Sequence, residues 1–130
     1  MQREIVISII IVILVVVLNV ITQSYTKQKV ETMSQELEVL KEQMIQEEQV
    51  AKEGITEKSD DIYAKWTEAY PKLAFYIEHD ELEKVNTNLT GLKAYIEVEE
   101  YKEGIQELEK CKFILKHIKD KQAIKIENIF

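Results

Sequence analysis

Apolar and polar positions divide the chain into one unbroken apolar run followed by four amphipathic stretches. From Ile5 to Ile21, fifteen of 17 residues are Ile, Val or Leu; only Ser8 and Asn19 interrupt them. A buried strand would be far shorter. As a helix rising about 1.5 Å per residue, the run covers roughly 25 Å against a hydrocarbon core near ~30 Å. At about −0.3 to −0.6 kcal/mol per aliphatic residue, its insertion is favourable by roughly 5 to 9 kcal/mol. Tyr25 stands where an interfacial aromatic belongs. A cleaved signal peptide would carry a shorter apolar core and a small-residue cleavage site, which Thr22-Gln23-Ser24 matches poorly. The pattern therefore predicts a tail over 1–4, an uncleaved transmembrane anchor over 5–25 and a separate domain over 26–130.

Beyond Tyr25 the spacing becomes helical. Val30, Met33, Leu37, Leu40 and Met44 form one apolar stripe. Ala51, Ile55, Ile62, Trp66, Ala69, Leu73 and Ile77 form a second, with a polar gap at Lys58-Ser59. Leu82, Val85, Leu89, Leu92 and Ile96 make a third, and Tyr101, Ile105, Leu108, Cys111, Leu115 and Ile118 a fourth. Four helices with one stripe each can bury one another. The fold class predicted is all-α: a transmembrane helix followed by a four-helix domain of two αα-hairpins. Lys52-Glu53-Gly54-Ile55 recurs as Lys102-Glu103-Gly104-Ile105, near the start of the second helix of each hairpin, which suits a helical repeat. Asp80 with Glu83 reads as a capping box opening the third helix. Pro71 should kink or break the second helix near Thr67–Tyr70, because it lacks an N–H and its ring clashes with the preceding turn. The closing Ile124, Ile126, Ile129 and Phe130 are expected to pack back on the bundle.

Composition narrows the functions. Three Gly and one Pro leave little for sheet turns or a phosphate-binding loop, and one Cys excludes an internal disulfide or a multi-Cys metal site. Sixteen Lys stand against 23 Asp and Glu beyond Tyr25, a net −7 that repels nucleic acid and anionic head groups. No cofactor motif is present, and no nucleophile stands beside a base, so an enzyme is not expected. Cys111 lies on an apolar stripe, where a thiol is inert.

Two sets of residues remain as candidate sites. If the last two helices pair with a turn near Glu99, His79 comes level with position 119 and close to His117. With Asp80 they could ligate a divalent metal, or act as a pH-sensitive pair. The bland alternative is two solvated histidines among acids. Tyr63 and Tyr70 fall just off the second stripe and are candidates for an exposed aromatic patch that binds a partner. The first stripe could also pair with a second copy as a short coiled coil, giving a homodimer, although packing within its own chain is favoured.

Trp66, Ile77-Glu78-His79-Asp80-Glu81-Leu82, Leu92-Lys93-Ala94-Tyr95-Ile96, Leu115-Lys116-His117-Ile118 and Ile126-Glu127-Asn128-Ile129-Phe130, in that order, resemble an uncharacterised family of short Gram-positive membrane-anchored proteins, domain of unknown function family 4363. The resemblance implies an all-helical domain on an N-terminal anchor and no assigned activity. The expectation is a single-pass cell-membrane protein, held in lipid by residues 5–25, that acts as an interaction or adaptor protein for a protein partner. The alternative is a small metal or pH sensor at the His79/His117 end. Positive charge is nearly balanced across the anchor, with Arg3 and the amino group on one side and Lys27 and Lys29 on the other. The short leading tail favours a domain outside the cytoplasm.

Overall fold

The computed structural model describes the backbone of residues 1–129 and the side chains of residues 1–124. Four helices follow one another: α1 (Gln2–Ile45), α2 (Lys52–Leu73), α3 (His79–Glu97) and α4 (Tyr101–Ile129). No strand occurs among the described residues. The apolar run and the first amphipathic stretch are one helix of 44 residues. No Gly or Pro lies between them to break it. At the passage, the Thr22 and Thr26 hydroxyls donate back to the carbonyls of Asn19 and Thr22, at 3.1 and 2.8 Å. Among the described residues no side chain of the apolar half of α1 is buried, and this half is long and apolar enough to cross a membrane.

Beyond Tyr25 the helices close into a ring. α1 packs on α2 and α4, and α3 packs on the same two, while the diagonal pairs stay apart among the described residues. The ion pairs Lys41–Glu109 (3.0 Å), Glu38–Lys112 and Glu31–Lys119 (3.9 Å) run down α1 and α4 in opposite directions, in matching steps. α1 leads away from the apolar run, α2 returns, α3 leads away and α4 returns. The predicted stripes meet in the middle. Leu37, Leu40, Ile55, Ile62, Leu82, Val85, Leu108 and Cys111 are wholly inaccessible. Each aliphatic side chain buried this way contributes about 1.5–3 kcal/mol against the entropy of ordering the chain. The first and third stripes are buried throughout, so the first is consumed inside its own chain. In the second, Ala51 is exposed at the helix start, while the small Ser59 is buried where the stripe seemed to lapse.

The helix ends differ from the local sequence expectations in three places. α2 runs through Pro71 and ends two residues later at Leu73. In the last turn the missing N–H orphans only the Thr67 carbonyl, on an exposed residue, so the break expected at 67–70 does not occur. The capping box is not formed either. α3 starts at His79, ahead of Asp80, without a side-chain cap, and Asp80 and Glu81 instead face the positive end of the helix dipole from its first turn. Ile124 is exposed rather than packed back. Ile126, Ile129 and Phe130, the rest of that expected tail, lie outside the described side chains.

The α3–α4 turn is closed by a Schellman arrangement. The Glu100 N–H donates to the Tyr95 carbonyl at 2.9 Å, and the Glu99 N–H to that of Ile96 at 3.1 Å. Glu99 holds the left-handed position of this motif, at φ 60°. The α2–α3 turn lies at the other end of the bundle, beside the start of its first helix. The Tyr76 hydroxyl lies 2.7 Å from Thr26 Oγ1 and donates to the Thr22 carbonyl at 3.2 Å.

Candidate functional site

The histidines reach the same level of the α3–α4 pair, as the turn position implies, but face different neighbours. His79 opens α3 on the side of α2, where its Nδ1 is 3.4 Å from the Tyr70 hydroxyl and its Nε2 is 3.9 Å from Glu83. His117 is on α4, with Nε2 3.4 Å from Glu81 Oε1. Successive helical residues rotate by about 100°, so His79 and Glu81 project to nearly opposite sides of α3. Height alone cannot gather ligands that differ in azimuth. Asp80 is exposed, and among the described residues no three His, Cys, Asp or Glu side chains converge as a metal site.

Tyr63 and Tyr70 are half-buried against the core rather than displayed as a patch. The Lys93 ammonium sits 5.0 Å from the Tyr63 ring centre, and Tyr70 meets Trp66 edge to face at 5.9 Å. The Tyr70 hydroxyl donates to Glu83 Oε1 at 2.7 Å. That hydrogen bond to a carboxylate, then partial burial, holds the phenol pKa above its usual value. The same Glu83 oxygen accepts from Asn86 Nδ2 at 3.2 Å, and Asn86 Oδ1 accepts from the Trp66 indole. This chain of partners satisfies the polar atoms at the α2–α3 seam. Cys111 is sealed in the core, where burial pushes its thiol up to about 12. A thiol so rarely ionised is a packing group, not a nucleophile.

Among the described residues, α3 and α4 part along their outer side. A groove of about 860 Å³ runs there, floored by Phe113 and Ile114 and bordered by Lys84, Thr87, Asn88 and Lys110. Asp80, Glu83 and Glu109 add carboxylates along it. Phe113 lies midway between Cys111 and Leu115, both buried, and is therefore rotated outward; its side chain is 72% exposed. Among the described residues a second outward aromatic is Phe75, in the α2–α3 turn, 90% exposed and likewise two residues from stripe positions on either side. Sequence reasoning picked tyrosines at the stripe's margin and passed over these two. The usable signal was an aromatic displaced by two residues from a buried stripe.

Neither a curated protein nor a solved structure matches the chain. A family model matches residues 20–129, from the end of the apolar run through the whole bundle. By that match, over most of its length, the chain belongs to the family described as Domain of unknown function (DUF4363).

Proposed function

We propose that the chain is a single-pass membrane-anchored interaction protein whose bundle holds a protein partner beside the bilayer. The observation that carries this reading is the α3–α4 groove, with Phe113 standing in it 72% exposed. An aromatic left in water on a helix face, framed by Lys84 and Lys110 on one hand and Glu83 and Glu109 on the other, is an anchor with a polar rim. Two antiparallel helices with a furrow between them accept an amphipathic helix, the partner chemistry we favour. The proposed role is binding rather than turnover, and the proposed location is the cell membrane with the bundle outside the cytoplasm. Protease added to intact cells should then digest the bundle.

The groove is tested by a photo-crosslinking amino acid placed at Phe113 and, as the control, at the exposed Glu57 of α2, in membranes of the native host. The reading expects a discrete crosslinked protein from position 113 alone, lost on competition with the untagged chain. Equal or absent crosslinking at the two positions would overturn it.

A further inference from the structure

We infer that the α2–α3 turn is a second membrane contact, with Phe75 seated at the boundary between head groups and acyl chains of the bilayer that α1 crosses. The inference rests on reading the apolar run of α1 as a membrane span, and it starts from height. Thr22 and Thr26 stand one and five residues beyond Ile21, so they lie about 1.5 and 7.5 Å past the end of the run along the helix axis. The polar layer of one leaflet is on the order of 5–7 Å deep. The Tyr76 hydroxyl is tied to both residues, at 3.2 Å from the Thr22 carbonyl and 2.7 Å from Thr26 Oγ1. A span that ends at Ile21 therefore brings this turn down into the head groups.

The chemistry of the turn suits that depth. Phe75 adjoins Tyr76 and projects away from the bundle, 90% exposed. A lone apolar side chain on a protein surface is ordinary; one fixed at the level where hydrocarbon begins has an apolar phase within reach. Tyr25 faces the same layer, with the Lys29 and Lys72 ammonium groups 5.5 and 5.8 Å from its ring centre. Tyrosine and lysine flanking an apolar run make up the usual interfacial belt. Here α2 supplies Lys72 and the turn supplies Tyr76, so the belt is assembled from the folded bundle as well as from the span.

The test uses the full chain in phosphatidylcholine–phosphatidylglycerol vesicles, with bromine near the top of the acyl chains in one set and deep in the chains in another. The wild-type chain has one tryptophan, the buried Trp66, whose emission supplies the background. Phe75→Trp adds a second indole at an exposed position, which leaves the fold undisturbed. Val12→Trp reports on the span and Gln46→Trp on the far end of the bundle. The expected result is a blue-shifted Phe75→Trp signal that loses most of its intensity to shallow bromine. Val12→Trp should be quenched by deep bromine and Gln46→Trp by neither. If Val12→Trp is quenched while Phe75→Trp emits as in water, the span stands and the turn contact is overturned. If neither is quenched, the span reading falls and the turn contact falls with it.

Discussion

Glu99 offers an internally controlled test of the turn that sets the α3–α4 register. A residue with a Cβ in the left-handed region costs about 1–2 kcal/mol, from the clash of Cβ with the carbonyl that follows. Glu99 occupies that region at φ 60°, in a motif whose hydrogen bonds are all made by backbone. Its side chain contacts Lys52 at 2.8 Å, with both groups largely in water, a screened pair that adds little. Glu99→Ala and Glu99→Gly both remove that pair, so comparing them isolates the backbone. Glycine avoids the clash but loses about 0.4–1 kcal/mol more chain entropy on folding. The Gly variant should therefore be the more stable of the two by about 1 kcal/mol. Gly54, in the first turn of α2, supplies the opposite sign. Its φ is negative, and an added Cβ meets nothing within 4 Å, so Gly54→Ala should stabilise by about 0.5–1 kcal/mol. Urea unfolding of the full chain in detergent micelles, followed by emission of the buried Trp66, reads both effects as shifts in midpoint at constant slope. If Glu99→Ala proved as stable as Glu99→Gly, the left-handed turn would be wrong, and with it the basis for the helix register.

Alkaline pH should loosen the core through Cys111. Burial disfavours the thiolate and pushes its folded pKa above the ordinary thiol value, up to about 12. The stability this provides is complete below pH ~9 and is lost on rising toward ~12, at up to about 1.4 kcal/mol per pH unit. Urea midpoints measured across that window should fall more steeply for the wild type than for Cys111→Ala; identical slopes would show the thiol to be accessible. Pro71→Ala should change stability by less than about 1 kcal/mol, against the ~3 kcal/mol recovered when a proline leaves a helix interior, because only the last turn is involved. A gain of interior size, read by the same urea series, would show that the helix is interrupted there.

Where the sequence was informative, spacing carried the information. Val30 to Met44 and Leu82 to Ile96 alternate by three and four, and every one of those residues is inside. The turn near Glu99 was legible too, and with it the shared level of His79 and His117. What spacing along one helix does not contain is azimuth relative to a neighbour. Only the packed bundle turns His79 toward Tyr70 and His117 toward Glu81. The reach of α2 past Pro71 and the early start of α3 depend on where each helix stops, which tertiary contacts decide. Phe113 differs: its place two residues from both Cys111 and Leu115 marked it as outward in the sequence, but the groove beside it exists only once α3 and α4 are packed.

The 44-residue α1 has no joint where it leaves the apolar run. Residues 22–45 carry it roughly 36 Å further as one rod. With the apolar run seated in a bilayer, as proposed, a protein pulling sideways on the far tip of the bundle exerts torque on that run, and a tilt or rotation imposed on the run swings the tip in turn. Mechanical news can pass in either direction along this lever without any change of fold.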